Sequence, residues 1–277
     1  MRDVTCRRVS WNIVLKGLIF VLASEYSLVS FAGEITVAVA SNFMLPAKVI
    51  AEDFEKNTGH SVRLVFGSSG KIYAQIKNGA PFDVFLSADQ EKPAALIQSG
   101  KGVSSSQFTY ASGKLVLWAL NKEKIETACN EKENVSQDDL SHPLKRVLMS
   151  GGYQHLAMAN PKLAPYGRAA QEVLEALFSG SETEIEIEMG KEKINKSKIV
   201  QGENIAQTFQ FVSTGNAELG FVALSQVMED NKIISGIAWV IPEHLYSPVH
   251  QDAVLITRSR ERDVANQFLA YLRNKKS

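Results

Sequence analysis

"SVRLVFGSSGKIYAQI", residues 61–76, decides the fold. Val62 to Phe66 is rich in β-branched and aromatic residues, the composition of a strand. Gly67, Ser68, Ser69 and Gly70 break the run. Apolar residues then recur at helical spacing through Ile72, Tyr73 and Ile76. A strand that passes into a helix through small residues is half of a β-α-β unit. Two adjacent hydroxyls between glycines at such a junction fit plain turn chemistry. They also fit one wall of an anion site, because a helix start offers unpaired N–H groups and the positive end of a dipole.

The same grammar extends outward. Upstream, "EITVAVA" (34–40) alternates and predicts a strand, and residues 42–59 carry helical spacing. Pro46 falls in that helix's first turn, where a missing N–H does no harm, and Asn57-Thr58-Gly59 ends it. Downstream, a helix is expected over 71–79 and a third strand over 82–88. This β-α-β-α-β order predicts a parallel sheet covered on both faces.

A second series begins near residue 113. Strands are expected at 113–120, 155–161, 198–202 and 219–227, with helices at 167–178 and 204–215. Residues 121–139 are charged and read as a loop, and no element is assigned between 89 and 112. The chain then returns through 237–242 and a strand at 252–259 to a closing amphipathic helix at 260–274. Residues 181–198 form a long acidic-to-basic segment to which no function is assigned. No Gly/Ser/Pro-rich linker divides the chain.

Composition narrows the function classes. The 277 residues are 45% hydrophobic and 22% charged, with formal net charge zero. This is globular composition without the basic excess of a nucleic-acid binder. The N-terminus differs in kind. Arg2, Arg7, Arg8 and Lys16 precede an apolar block from Gly17 to Ala23, and Ser30-Phe31-Ala32 fits a small-x-small cleavage site. Residues 1–32 therefore read as a secretory signal peptide. The apolar block is far shorter than the ~20 residues of a membrane span. Cleavage would remove four basic and two acidic residues and leave a net charge of −2. It would also remove Cys6, leaving Cys129 without an intramolecular partner.

Four junctions share one design: a strand, a small polar loop, then a helix. They are "VAVASNFMLP" (37–46), "LVFGSSGKIYAQ" (64–75), "AMANPKLAPYGRAAQE" (157–172) and "IVQGENIAQTF" (199–209). Ligands of open α/β sheets bind at the carboxyl ends of the strands. Any one serine here is an ordinary helix cap; four loops with small uncharged donors point to an anion. "GSSGK" is not a phosphate P-loop, and no G-x-G-x-x-G follows a strand.

Catalytic patterns are weak. The five histidines, His60, His142, His155, His244 and His250, lack metal-site spacing, and there is no G-x-S-x-G elbow. Asp83 and Asp89 are expected to serve turn and strand-end hydrogen bonding. Lys71 and Arg168, just inside helix starts, are expected to be solvated rather than to touch the anion.

"ITVAVASNF", "GSSGKIYAQI", "GAPFDVFLSAD", "LAMANPKLAPYGRAA", "GENIAQTFQFVSTGNAELGFVALSQV" and "DAVLI" occur in that order. Together they resemble the periplasmic molybdate-binding proteins of ABC transporters, over nearly the whole chain after residue 32. The resemblance implies a two-lobed, type II periplasmic solute-binding fold. Each lobe would be a mixed, mainly parallel sheet flanked by helices, with the ligand between the lobes. It implies lobe I at 33–112 and 246–277 and lobe II at 113–245.

By the same resemblance Ser41 and Ser69 donate through hydroxyl and main chain, Asn42 is an additional donor, and Tyr166 and Ile205 donate through main-chain N–H. Some members use a tyrosine hydroxyl where this chain has Ala223, so that donor is missing, and Asn42 or Tyr166 would compensate. Molybdenum would be bound only as its oxyanion, with tungstate as a second ligand and no cofactor. The implied setting is the periplasm, and the implied partner is a membrane permease, with no nucleic acid. The protein would be a monomer and not an enzyme. The alternatives are a binding protein for sulfate or phosphate, and a secreted hydrolase.

Overall fold

The computed structural model describes residues 32–130, 142–178 and 198–275. Residues 1–31 of the expected signal peptide, with Cys6, most of segment 181–198 and the side chain of Cys129 lie outside the described residues.

The first half runs β1 (Glu34–Ala40), a 3₁₀ turn (Ser41–Phe43), α1 (Met44–Thr58), β2 (Ser61–Gly67), α2 (Ser69–Lys77), β3 (Val84–Leu86), α3 (Glu91–Gln98) and β4 (Phe108–Gly113). The second half runs β5 (Leu115–Ala119), α4 (Lys122–Asn130), α5 (Pro143–Ser150), β6 (Leu156–Ala159), α6 (Pro165–Phe178), β7 (Ile199–Gly202), α7 (Ile205–Ser213) and β8 (Leu219–Ala223). After these come α8 (Leu224–Val227), β9 (Met228–Glu229), β10 (Lys232–Ile233), β11 (Ile237–Val240), β12 (Val249–Leu255) and α9 (Arg262–Asn274).

Two five-stranded sheets result, in the orders β2-β1-β3-β12-β4 and β11-β5-β8-β6-β7, and β9 and β10 form a separate hairpin. The two sheets mark two lobes. Only Lys114 separates β4 in the first sheet from β5 in the second, and the chain returns between β11 and β12.

Alternation along the strands builds a core on each face, because successive side chains point to opposite sides. In the first sheet Ile35, Val37, Val39, Val84 and Leu86 pack with Phe54, Phe268 and Leu269. Ala38, Phe85 and Val254 face the other way, onto Ile72, Ile76 and Leu96. The second sheet repeats the plan. Leu115, Leu117 and Phe221 join Leu144, Val173 and Leu174, while Val116, Trp118 and Val222 meet Val212 and Phe209. Burying each large side chain contributes about 1.5–3 kcal/mol.

Register is what positions the site. β1 and β2 run parallel with Ala40 opposite Gly67, and β3 ends level with them, with Leu86 opposite Val39. The loops starting at Ser41, Ser68 and Ser87 therefore leave one edge of the sheet side by side. In the second sheet β6 and β7 run parallel with Ala159 opposite Gly202, which sets the loops at Asn160 and Glu203 together.

Several expectations are corrected. The sheets are evenly mixed rather than mainly parallel, with two parallel and two antiparallel ladders each. The reason is the double crossing: the strand that follows each crossing, β5 in the second sheet and β12 in the first, runs against the β-α-β strands and is antiparallel to both its neighbours. Residues 122–130 are helical where a loop was expected. That stretch has little apolar periodicity, but Asn121 Oδ1 accepts the Lys124 N–H at 3.0 Å and opens the helix. α3 and β4 fill the unassigned interval; Pro93 sits in the first turn of α3, where it is tolerated. The strand expected at 219–227 stops at Ala223, and a helical turn follows.

Candidate functional site

The facing edges of the two sheets meet around one cleft. Ala40, Ser41, Asn42, Gly67, Ser68, Ser69 and Ala88 line it from the first lobe, and Ala164, Pro165, Tyr166 and Ile205 from the second. The space measures about 180 Å³ including its mouth. All five residues named from the sequence, Ser41, Asn42, Ser69, Tyr166 and Ile205, are brought together here, and each is buried. None of the eleven lining residues carries a charge.

Each helix start is prepared differently. α6 opens with Pro165, which has no N–H, so Tyr166 carries its first main-chain donor. Gly167 behind it lets the helix lie against β6, since a Cβ there would stand 2.3 Å from the Ala159 carbonyl oxygen. At α7, the Asn204 side chain accepts the N–H groups of Ala206 and Gln207 and not that of Ile205. At α2, Ser69 Oγ accepts the Ala88 N–H at 2.9 Å, which fixes its rotamer and leaves its own proton to donate. Ser68, the N-cap of that helix, makes no capping bond.

A buried polar network stands behind the cleft. Gln251 Oε1 accepts from Asn42 Nδ2 at 2.8 Å and from the Tyr110 hydroxyl at 3.1 Å. Gln251 Nε2 reaches the Tyr166 hydroxyl at 3.4 Å. Burial pushes both tyrosine hydroxyls well above their ordinary value, so both stay neutral. Asn42 Nδ2 is thus engaged within the protein, whereas the Tyr166 hydroxyl accepts from Gln251.

The lobes touch across the mouth. The Gly70 N–H donates to the Leu163 carbonyl at 2.8 Å, and Ser225 Oγ donates to the Asn42 carbonyl at 3.1 Å. Gly70 must lack a side chain here, because a Cβ would stand 2.8 Å from that carbonyl oxygen. Gly113 is constrained in the same way, since its Cβ would fall 1.9 Å from the Tyr166 hydroxyl.

Lys71 and Arg168 are neither free in solvent nor aimed at the cleft. Lys71 pairs with Glu203 at 2.8 Å and Arg168 with Glu91 at 2.9 Å, each across the gap. The Arg168 guanidinium holds the Glu91 carboxyl below its usual range. Asp83 accepts from the Thr36 N–H and the Ser259 hydroxyl, and Asp89 pairs with Lys92; both anchor strand ends.

Sequence reasoning missed Gln251, Tyr110 and the separate character of Ser68. The first two lie on strands far from the loops, and nothing local marks them. Ser68 and Ser69 are chemically identical in the sequence, and only the fold tells them apart.

The family model for the bacterial extracellular solute-binding protein matches residues 35–277. The chain belongs to the bacterial extracellular solute-binding protein family. Among the members of this solute-binding family it resembles, the molybdate-binding protein ModA of Azotobacter vinelandii is 46% identical over 89% of this chain and 86% of its own length. ModA of Rhodobacter capsulatus is 40% identical over 91% of this chain and 87% of its own. A solved structure, the periplasmic molybdate-binding protein of Azotobacter vinelandii, superposes with a TM-score of 0.70 at 34% identity, covering 86% of this chain and 92% of that one. The superposition identifies the fold as the two-lobed type II solute-binding fold.

Proposed function

We propose that this chain binds molybdate between its two lobes and delivers it to the membrane permease of an ABC transporter. The observation that carries this reading is an interlobe cleft lined by buried serines of the first lobe, by helix starts from both lobes and by no charged side chain. The likeness to molybdate-binding relatives supports the choice of ligand.

A doubly charged oxyanion is costly to strip of water unless donors replace its shell. Ser41 and Ser69 donate through hydroxyl and main chain, and Asn42, Tyr166 and Ile205 through main-chain N–H. Hydrogen bonds to a charged acceptor contribute about 1.5–3 kcal/mol each. Because the donors come from both lobes, the full set forms only when the lobes close, so the ligand drives closure by its higher affinity for the closed form. We assign lobe I to 33–112 and 246–277 and lobe II to 113–245, a first boundary that the pairing of Gly113 in β4 moves to Lys114, with the two crossings as the hinge.

With charge fixed at two, selectivity among oxyanions rests on size. Tungstate is nearly the size of molybdate and binds as well; sulfate is smaller, leaves donors unpaired and binds far less. The protein acts as a monomer in the periplasm, where residues 1–32 direct it, and carries its cargo without transforming it. Calorimetry of residues 33–277 against molybdate, tungstate, sulfate and phosphate tests this. Heat with the first two and little with sulfate is expected. Preference for sulfate or phosphate would move the chain to another oxyanion, and no heat with any of them would sink the reading.

A further inference from the structure

We infer that the hydroxyl of Ser68 is a direct donor to the bound oxyanion, an addition to the serines and main-chain groups assigned above. The inference rests on the proposal that the cleft holds a molybdate-like dianion.

A serine at the start of a helix ordinarily turns its oxygen onto the N–H groups of the first turn. Ser68 occupies that position at α2 and does not do so. It is 2% exposed and lines the cleft. Among the described residues, its Oγ is the only buried side-chain nitrogen or oxygen without a hydrogen-bond partner. Buried polar groups are nearly always paired, so such an exception asks for a partner from outside the chain.

The neighbours say what kind of partner. Ser69 Oγ is occupied on its accepting side by the Ala88 N–H, and the Gly70 N–H is spent on the Leu163 carbonyl. The Asn42 and Tyr166 side chains are bound up with Gln251. What the cleft still presents, at Tyr166, Ile205 and the serines, is hydrogen on nitrogen or oxygen. A ligand that fits such a lining is rich in acceptors, and a hydroxyl beside it completes its own bonding by donating. An oxyanion oxygen meets that need.

The test uses residues 33–277 of the wild type, Ser68→Ala and the near-isosteric, poorly donating Ser68→Cys. Titration with molybdate is followed by calorimetry, and melting is measured without ligand. Both variants are expected to lose about tenfold in affinity, the worth of one hydrogen bond. Their unliganded melting temperatures are expected to stay within about 2 °C of wild type, since no protein contact is removed. Affinity within twofold of wild type in both variants overturns the inference while leaving the molybdate reading intact. So does an affinity loss that comes with a large fall in unliganded melting temperature, which would mark a structural role. A wild type that binds no oxyanion removes both. A crystal structure of the molybdate complex with Ser68 Oγ beyond hydrogen-bond distance of every ligand oxygen would also overturn it.

Discussion

The interior of the cleft and its rim treat charge in opposite ways. Inside, the lining is serine, asparagine, tyrosine and backbone, all buried and all uncharged. A few residues outward, the same two α-helices carry ions: Lys71 on α2 meets Glu203, and Arg168 on α6 meets Glu91, with side chains about half exposed. A lysine inside would bind any anion, and its charge would not register the anion's size. Fixed neutral donors make affinity depend on geometry, because each one counts only when an oxygen lies within reach. At the rim geometry matters less, and water screens the pairs, so ions there cost little and contribute little. The cations next to the cleft are neutralised by lobe-crossing carboxylates rather than left to attract ligand.

The strongest way to break this contrast is to stop the lobes from meeting. Gly70 takes part in a helix with no unusual backbone requirement, yet a Cβ there would press on the Leu163 carbonyl of the other lobe. Gly70→Val is expected to leave the unliganded melting temperature nearly unchanged and to weaken molybdate binding by more than about 100-fold, roughly 2.7 kcal/mol. Small-angle scattering checks the cause: the wild type contracts on adding molybdate, and the variant does not. Binding within threefold of wild type would mean that the contact at Leu163 is dispensable.

How much of this was legible in the sequence depends on whether the signal is local. β1 is legible to the residue, and the four strand-loop-helix junctions are legible as well, because alternation, Pro46, Gly59 and the Asn204 cap are short-range marks. The convergence of Ser41, Asn42, Ser69, Tyr166 and Ile205 follows from parallel register at the carboxyl edges, which a β-α-β order already implies. The antiparallel halves of both sheets were not legible, since they depend on where the chain crosses between lobes. Gln251 was invisible for the same reason. It sits at an irregularity in β12, at the break in register between Gln251 and Asp252, and its partners lie 209, 141 and 85 residues away. The ion pairs of Lys71 and Arg168 needed two lobes in place before their carboxylates came near.

A second way to break the contrast is to put a charge where the interior has none. Gln251→Glu keeps an oxygen for Asn42 Nδ2 and the Tyr110 hydroxyl but places a carboxylate next to two cleft residues, Asn42 and Tyr166. Molybdate affinity is expected to fall about 10- to 30-fold through like-charge repulsion in a poorly screened site. Calorimetry at several salt concentrations checks this, and the loss should persist in high salt because the group is buried. A loss that vanishes in salt would place the new charge in contact with solvent.

The rim should respond weakly. Removing either latch by Glu91→Ala or Glu203→Ala deletes an exposed pair, worth roughly 0–1 kcal/mol. Affinity is expected to change by less than about threefold at physiological salt, and the double variant should show less salt dependence than wild type. A loss of tenfold or more in one variant would promote that pair from a screened contact to a gate.

The smallest expected effect is also the sharpest statement about the interior: molybdate affinity should be flat between about pH 6 and 9. No lining residue is an acid or a base with an ordinary value in that window. Tyr166 is the one titratable group on the lining, and burial pushes its hydroxyl up, away from the window, so it stays neutral throughout. At the rim, the hydrogen bond from Arg168 holds the Glu91 carboxyl below its ordinary 4.5. A lowered carboxyl contributes its stabilisation above its unfolded value and loses it only as pH falls through the lowered one, so the latch stays intact across the whole range. Arg168 is shifted upward and stays charged as well. Calorimetric titrations at half-unit steps would therefore overlay. A step of more than about threefold anywhere in the window would require a titrating group at the ligand, and with it a charged interior in place of the neutral one on which size selection depends.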